Sequence, residues 1–262
     1  MSAAPSQAPV ADTAPQLEIA GRIATIRLNN PSRSNRLSPA DLDALREHVA
    51  RVNQQPDVLV LRFIATGKYF CSGYDISSLS SETAPSSLYF GETIDLIESA
   101  RPVTIAAVQG GAYGGGTDLC LACDFRLGTP QANMFMPAVR LGLHFYPGGM
   151  RRYLSRLGVN AARRLFLTGE QIQADEMLKI GFLTELVDAD ALPARTEALS
   201  AQLAGMAPLA LLGIKHDLNG LINGSFDVQA NAQAVRRSEA SADMKEGALA
   251  WKEKRAARFQ GR

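Results

Sequence analysis

Gln109-Gly110-Gly111-Ala112-Tyr113-Gly114-Gly115-Gly116-Thr117-Asp118-Leu119-Cys120 joins an apolar run, Val103 to Val108, to a helix of small residues through five glycines. Glycine lets the backbone approach another group with no Cβ in the way. The N–H groups that open a helix have no acceptor within it, so this junction can present donors to an anion or an oxyanion. Asp118 follows in the first helical turn. Taken alone, the stretch also reads as a tight strand-to-helix turn in which Asp118 complements the helix dipole. A second glycine-broken stretch, Phe70-Cys71-Ser72-Gly73-Tyr74-Asp75-Ile76, shifts the balance toward a site, with Gly73 at the turn and the next N–H belonging to Tyr74.

Working outward from the two stretches, the chain alternates. Residues Leu17 to Ile19 and Ile23 to Leu28 form a hairpin around Gly21, and Asn29 to Arg36 is a polar loop. Ser38 as N-cap, Pro39 and Asp41 announce a helix whose apolar face is Leu42, Leu45, Val49 and Val52. Val58 to Ile64 reads as a buried strand, Ser77 to Ser87 as a polar loop, and Leu88 to Ala100 as a helix before the strand from Val103. Strand alternating with helix implies a right-handed parallel α/β arrangement, where ligands collect at the strand ends, so Gly73 and Gly115 converge. Phe125 to Leu127 and Ala132 to Phe135 are short strands, and Pro137 to Gly149 is a loop carrying His144, Tyr146 and Pro147. Helices follow at Arg151 to Leu157 and from Asn160 through Leu167. Beyond Gln173 the chain reads as helical, at Leu192 to Met206, Pro208 to Leu218 and Phe226 to Arg258, with Phe182 to Val187 the one strand-like run. The organisation expected is a disordered tail over 1–15, a core over 16–200 and a helical region over 201–262.

The 262 residues, 46% of them hydrophobic, suffice for a sizeable core. With 27 basic and 26 acidic residues there is no electrostatic case for nucleic acid or for an anionic membrane. No apolar run is long enough to span a bilayer and no leader pattern opens the chain, so a cytoplasmic protein with a small-molecule partner is expected. Three cysteines, Cys71, Cys120 and Cys123, suit a reducing compartment, and with no second pair for zinc they read as inert thiols, with no metal site.

The two glycine-broken strand ends, together with Ala122-Cys123-Asp124-Phe125, Pro137-Ala138-Val139-Arg140-Leu141-Gly142, Phe166-Leu167-Thr168-Gly169, Glu246-Gly247 and Trp251-Lys252-Glu253-Lys254-Arg255, resemble the enoyl-CoA hydratase/isomerase (crotonase) family. The resemblance spans nearly the whole chain after the tail. It implies an α/β spiral of ββα units with a C-terminal α-helical trimerisation region, assembly as a homotrimer or homohexamer, and acyl-CoA substrates, coenzyme A being part of the substrate and no other cofactor being needed. It assigns the oxyanion hole to the N–H groups of Tyr74 and Gly115. Two such donors in a dry site stabilise a thioester enolate by several kcal/mol. The nearest matches to CoA-binding groups are Arg33, Arg36 and Lys254, each of which reads equally as solvated surface.

Typical hydratases of the family pair two glutamates, and the matching positions here are Asp118 and Ala138. Alanine moves no proton, and aspartate reaches about 1.5 Å less far than glutamate. The acid/base set is therefore atypical. Tyr146 stands where several branches of the family place a reactive aspartate, and His144 lies two residues earlier; in an extended loop the two share a face. A phenol can give a proton to an enolate, and an imidazole can act either way near neutrality. The expected catalytic set is Asp118, Tyr146 and His144 in an acyl-CoA hydratase or isomerase. Two alternatives stay open. One is a decarboxylase or thioester hydrolase of the same fold, with Arg140 as a possible carboxylate partner; the other is a non-catalytic CoA-binding or scaffold protein.

Overall fold

The computed structural model describes residues 13–75 and 86–262. Most of the tail expected over 1–15 and most of the loop expected over 77–87 lie outside the described residues. A six-stranded sheet holds β1 (Gln16–Ala20), β2 (Ile23–Leu28), β3 (Val60–Ala65), β4 (Val103–Val108), β6 (Phe125–Gly128) and β9 (Glu185–Leu186), in the order β1-β2-β3-β4-β6-β9. The β1–β2 hairpin is antiparallel, turning on Gly21 at φ 58°, and every later pairing in this sheet is parallel. A three-stranded sheet, ordered β5-β7-β8, is built from β5 (Ala112–Tyr113), β7 (Asn133–Phe135) and β8 (Gln171–Gln173).

Nine helices occur among the described residues: α1 (Pro39–Asn53), α2 (Ser87–Glu98), α3 (Gly115–Ala122), α4 (Pro147–Thr168), α5 (Ala174–Lys179), α6 (Leu192–Ala204), α7 (Pro208–Asn223), α8 (Val228–Glu239) and α9 (Ala242–Glu253). None is long and apolar enough to cross a membrane. The start of α1 is the expected capping box: the Asp41 N–H donates to Ser38 Oγ at 3.3 Å and the Ser38 N–H to Asp41 Oδ2 at 2.8 Å. Its face of Leu42, Leu45, Val49 and Val52 is buried, as the spacing predicts. One face of the six-stranded sheet packs on α1, α2 and α3, and the other, through Val60, Ile105 and Leu127, on α6.

Three sequence expectations are corrected. The loop expected to run to Gly149 ends at Pro147, which opens α4 at N1, where its missing N–H costs nothing. Both helices expected within 151–167 belong to α4, which is broken at Gly158 by a backbone at φ 76°, ψ 165°. The strand-like run Phe182 to Val187 contracts to Glu185–Leu186, because Phe182 and Leu183 turn into the core as buried plugs. The polar strand β8 had no apolar pattern to announce it; it pairs antiparallel with β7 through Ile172, its single buried residue.

Candidate active site

The two glycine turns meet. At Gly73, φ is +88°, and a Cβ there would lie 2.7 Å from the Gly115 nitrogen and 2.8 Å from the Tyr113 carbonyl. Only glycine allows both the backbone conformation and the approach. Strand-like hydrogen bonds hold the first turn on both sides, from the Leu37 N–H to the Gly73 carbonyl at 2.8 Å and from the Asp75 N–H to the Leu37 carbonyl at 2.9 Å. The Tyr113 N–H donates to the Cys71 carbonyl at 2.9 Å and ties the second turn to the first. Gly114, at φ 51° and ψ −124°, then starts α3, so that Gly115 heads the helix, where an N–H has no acceptor within it. Tyr74 and Gly115 line one cavity of about 350 Å³, together with Phe90, Ala138, Leu143, His144 and Tyr146 among others.

Asp118 is fully buried one turn into α3 and is not among the described residues lining that cavity. Its Oδ1 accepts from Arg152 Nε at 2.8 Å, and its Oδ2 accepts from Arg152 Nη2 at 2.7 Å and from the Tyr146 hydroxyl at 2.7 Å. Arg152, also fully buried, donates through Nη1 to Asp95 Oδ1 at 2.6 Å and to Glu98 Oε2 at 3.0 Å. Burial alone pulls its pKa down, but Asp118, Glu98 and Asp95 outweigh that and hold it above its ordinary range. A planar fork on a carboxylate is the strongest pairing that guanidinium offers. Asp118 therefore meets the cavity through Tyr146, which stands between.

Tyr146 is the N-cap residue of α4, stacked on Phe145 with ring centres 4.2 Å apart and 6.2 Å from the Phe90 ring. Desolvation, followed by the Asp118 charge and hydrogen bond, pushes its phenol well above its ordinary pKa. It stays protonated. His144 is exposed at the cavity wall with Nδ1 2.8 Å from the Phe145 carbonyl oxygen. Ala138, at the start of a 3-10 turn over Ala138–Leu141, is buried against the cavity and brings no proton to it.

Arg36 sits at the cavity edge, 3.3 Å from Asp75 Oδ2, and shares a neighbouring hollow of about 790 Å³ with the exposed Arg33. Lys254 follows α9 in a left-handed conformation at φ 55° and does not line the cavity. Arg140 is exposed and donates to the Thr168 carbonyl at 3.3 Å, likewise off the cavity. Cys71, Cys120 and Cys123 are all buried; desolvation raises Cys71 and Cys123 to about 12 and Cys120 well above its ordinary value. Among the described residues no group of three His, Cys, Asp or Glu side chains could hold a metal.

Arg152, Asp95 and Glu98 were missed in the sequence. The available signal was helical spacing: Gly148, Gly149, Arg152 and Tyr153 fall on one face of α4, and that face is buried. A charge on such a face needs a partner, and Asp118 is that partner.

A family model described as enoyl-CoA hydratase/isomerase matches residues 18–262. The chain is 31% identical over 250 residues to a crotonyl-CoA hydratase of Syntrophomonas wolfei, covering 93% of this chain and 96% of that protein. It is 30% identical over 256 residues to an (E)-benzylidenesuccinyl-CoA hydratase of Thauera aromatica, covering 94% and 98%. Its fold is similar to the crystal structure of an enoyl-CoA hydratase/carnithine racemase from Magnetospirillum magneticum, with TM-score 0.88, 26% identity, and 95% and 96% of the two chains covered. It is also similar to that of an enoyl-CoA hydratase from Bacillus anthracis, with TM-score 0.83, 26% identity, and 95% and 99% covered. The α/β crotonase-like fold expected from the two glycine stretches is thus the fold observed, and the chain belongs to the enoyl-CoA hydratase/isomerase family.

Proposed function

We propose that the protein transforms an acyl-CoA thioester by way of its enolate, with the thioester oxygen held by the Tyr74 and Gly115 N–H groups and the enolate carbon protonated by the Tyr146 phenol. The carrying observation is the 2.7 Å bond from the Tyr146 hydroxyl to an Asp118 carboxylate that Arg152 locks in a fork. Asp118 keeps the proton on Tyr146 at rest, and the hydroxyl turns from Asp118 to the enolate carbon to deliver it. CoA phosphates and adenine are assigned to Arg33, Arg36 and Lys254, and His144, in the cavity lining, is the further acid/base group beside Tyr146. Assembly as a trimer or hexamer is part of the proposal, supported by Ile214, Leu218 and Leu221, an i, i+4, i+7 face of α7 left exposed.

Hydration or isomerisation is the reading the family favours. A second reading, decarboxylation of a carboxyl-bearing acyl-CoA, is favoured by Ala138 and by the locked Asp118, because it needs no base. The bond to the carboxylate breaks, carbon dioxide leaves, its electron pair becomes the enolate, and Tyr146 supplies the one proton required before regaining it from solvent. Crotonyl-CoA turnover, followed by loss of enone absorbance, run beside carbon dioxide release from malonyl-type thioesters separates the two. Tyr146→Phe is expected to lower whichever activity is present by about 10²-fold or more while calorimetry still registers CoA binding. No turnover on either panel with binding intact makes the protein a CoA binder instead. Turnover unaffected by Tyr146→Phe removes the phenol from the mechanism.

A further inference from the structure

Six of the seventeen described residues that line the cavity beside Tyr74 and Gly115 are Phe or Tyr, in a chain that is only 6% aromatic. Four of them form one connected wall. The Phe90 ring centre lies 5.6 Å from that of Tyr74 and 6.2 Å from that of Tyr146, and Tyr146 stacks on Phe145 at 4.2 Å. These rings are held in place. Tyr74, Phe90 and Tyr146 are buried, and two of them sit directly on glycine backbone: a Cβ at Gly115 would lie 2.5 Å from Phe90 Cζ, and one at Gly91 would lie 2.6 Å from Tyr146 Cδ2. A ring seated so closely on close-packed backbone does not fold back to let a flexible chain through. The wall also borders the proposed chemistry, because Phe90 lies against Gly115, and Tyr74 and Tyr146 carry two of the reacting groups.

We infer that the acyl group carries an uncharged aryl ring within a few carbons of the thioester, seated against Phe90 and the Phe145–Tyr146 pair. The inference rests on the acyl-CoA reading above and names its substrate class. Aromatic pairs with centres about 4.5–7 Å apart, tilted or offset, are favoured beyond what their area burial supplies. Phe90 is tilted by 51° to Tyr74 and by 45° to Tyr146, so a planar ring laid against this wall meets the face of one neighbour and the edge of another. The cavity, at about 350 Å³, is at the low end for a site that encloses a ligand, which suits a compact planar group near the thioester. Ala138 adds only a methyl to the lining, no carboxylate is among the described lining residues, and Arg36 stands at the edge, so nothing on the aromatic wall balances a charged ring substituent.

The test is calorimetric and compares four ligands: CoA alone, butanoyl-CoA, 3-phenylpropanoyl-CoA and 3-cyclohexylpropanoyl-CoA. The last two have the same length and connectivity, and the cyclohexyl group has the larger apolar surface, so area burial alone would make it the tighter ligand. Aromatic contact reverses that order. The phenyl thioester is expected to bind about threefold or more tightly than the cyclohexyl one. Phe90→Leu, which keeps an apolar side chain but removes the ring, is expected to bring that ratio to about one or below. The ratio is taken on the same folded protein, so a loss of stability does not move it, and Phe145→Leu provides the same reading should Phe90→Leu fail to fold. A ratio in the natural chain below threefold overturns the aryl assignment, and butanoyl-CoA binding more tightly than CoA would then leave the acyl-CoA reading standing. No binding of any of the four overturns both. A full ratio retained in both variants means that the ring sits elsewhere, and the proposed seat is wrong.

Discussion

Arg152 organises the site at the residue scale, although it never reaches the cavity. Two of its nitrogens are spent on Asp118, which is closed to water with it, and a third on the buried Glu98 and the half-exposed Asp95. Removing one partner of such a cluster leaves uncompensated buried charge, which costs about 3–5 kcal/mol, whereas the intact pairing adds little over an apolar replacement. The two ends of the pairing are not equivalent. Arg152→Gln strands Asp118 among apolar neighbours, with only the Tyr146 hydroxyl left to it, and is expected to lower the urea midpoint by an amount equal to about 3 kcal/mol or more. Asp118→Asn leaves Arg152 its bonds to Asp95 and Glu98, so its loss is expected to be smaller. The reverse order in a denaturation series contradicts the charge assignment. The site's weak legibility in the sequence comes from this cluster. Asp118 and Tyr146 could be named from local pattern and resemblance, but their dependence on an arginine 34 residues from Asp118 is a tertiary fact.

At the scale of elements, what was legible was local. The capping box of α1 closes within four residues and was readable without the fold. So was β4, whose six buried residues, Val103–Val108, form an apolar run broken only by Thr104. β8 was not, because Gln171-Ile172-Gln173 pairs with β7 for reasons that lie in β7. The approach of the two glycine turns falls between these cases: the turns could be read, their convergence was inferred from strand alternation, and the structure puts them in contact. Gly73→Ala tests how tightly. The added methyl meets the Gly115 nitrogen at 2.7 Å and sits on a backbone at φ +88°, so the two donors of the proposed hole must part. The variant is expected to lose about 1–3 kcal/mol of stability. It should lose about 10²-fold or more in turnover, as when one oxyanion donor is removed. Asp227→Ala, which removes the cap of α8, an element that does not line the cavity, should cost about 1 kcal/mol and leave turnover per folded molecule unchanged. Equal activity losses in the two variants would mean that Gly73 matters only for folding.

At the scale of the whole molecule, the titrating groups closed inside the fold set its tolerance to alkali. Unfolded thiols ionise near pH 9, whereas in the folded chain desolvation holds Cys71 and Cys123 to about 12, with Cys120 displaced in the same direction. Between those values the native state keeps protons that the unfolded state has released. A state that binds more protons is disfavoured as pH rises, so this contribution is fully present below pH 9 and is lost progressively above it. Each thiol contributes a slope of about 1.4 kcal/mol per pH unit, which for two thiols consumes a domain stability of about 5–15 kcal/mol within a few units. Urea midpoints are expected to be level from pH 7 to 8.5 and to fall steadily from pH 9 to 10.5. Cys123→Ala isolates the cause, because the smaller side chain lowers stability by a pH-independent amount and removes one titrating thiol. Its midpoint should start below that of the natural chain and converge on it with rising pH. Parallel curves would mean that Cys123 has no part in alkaline unfolding.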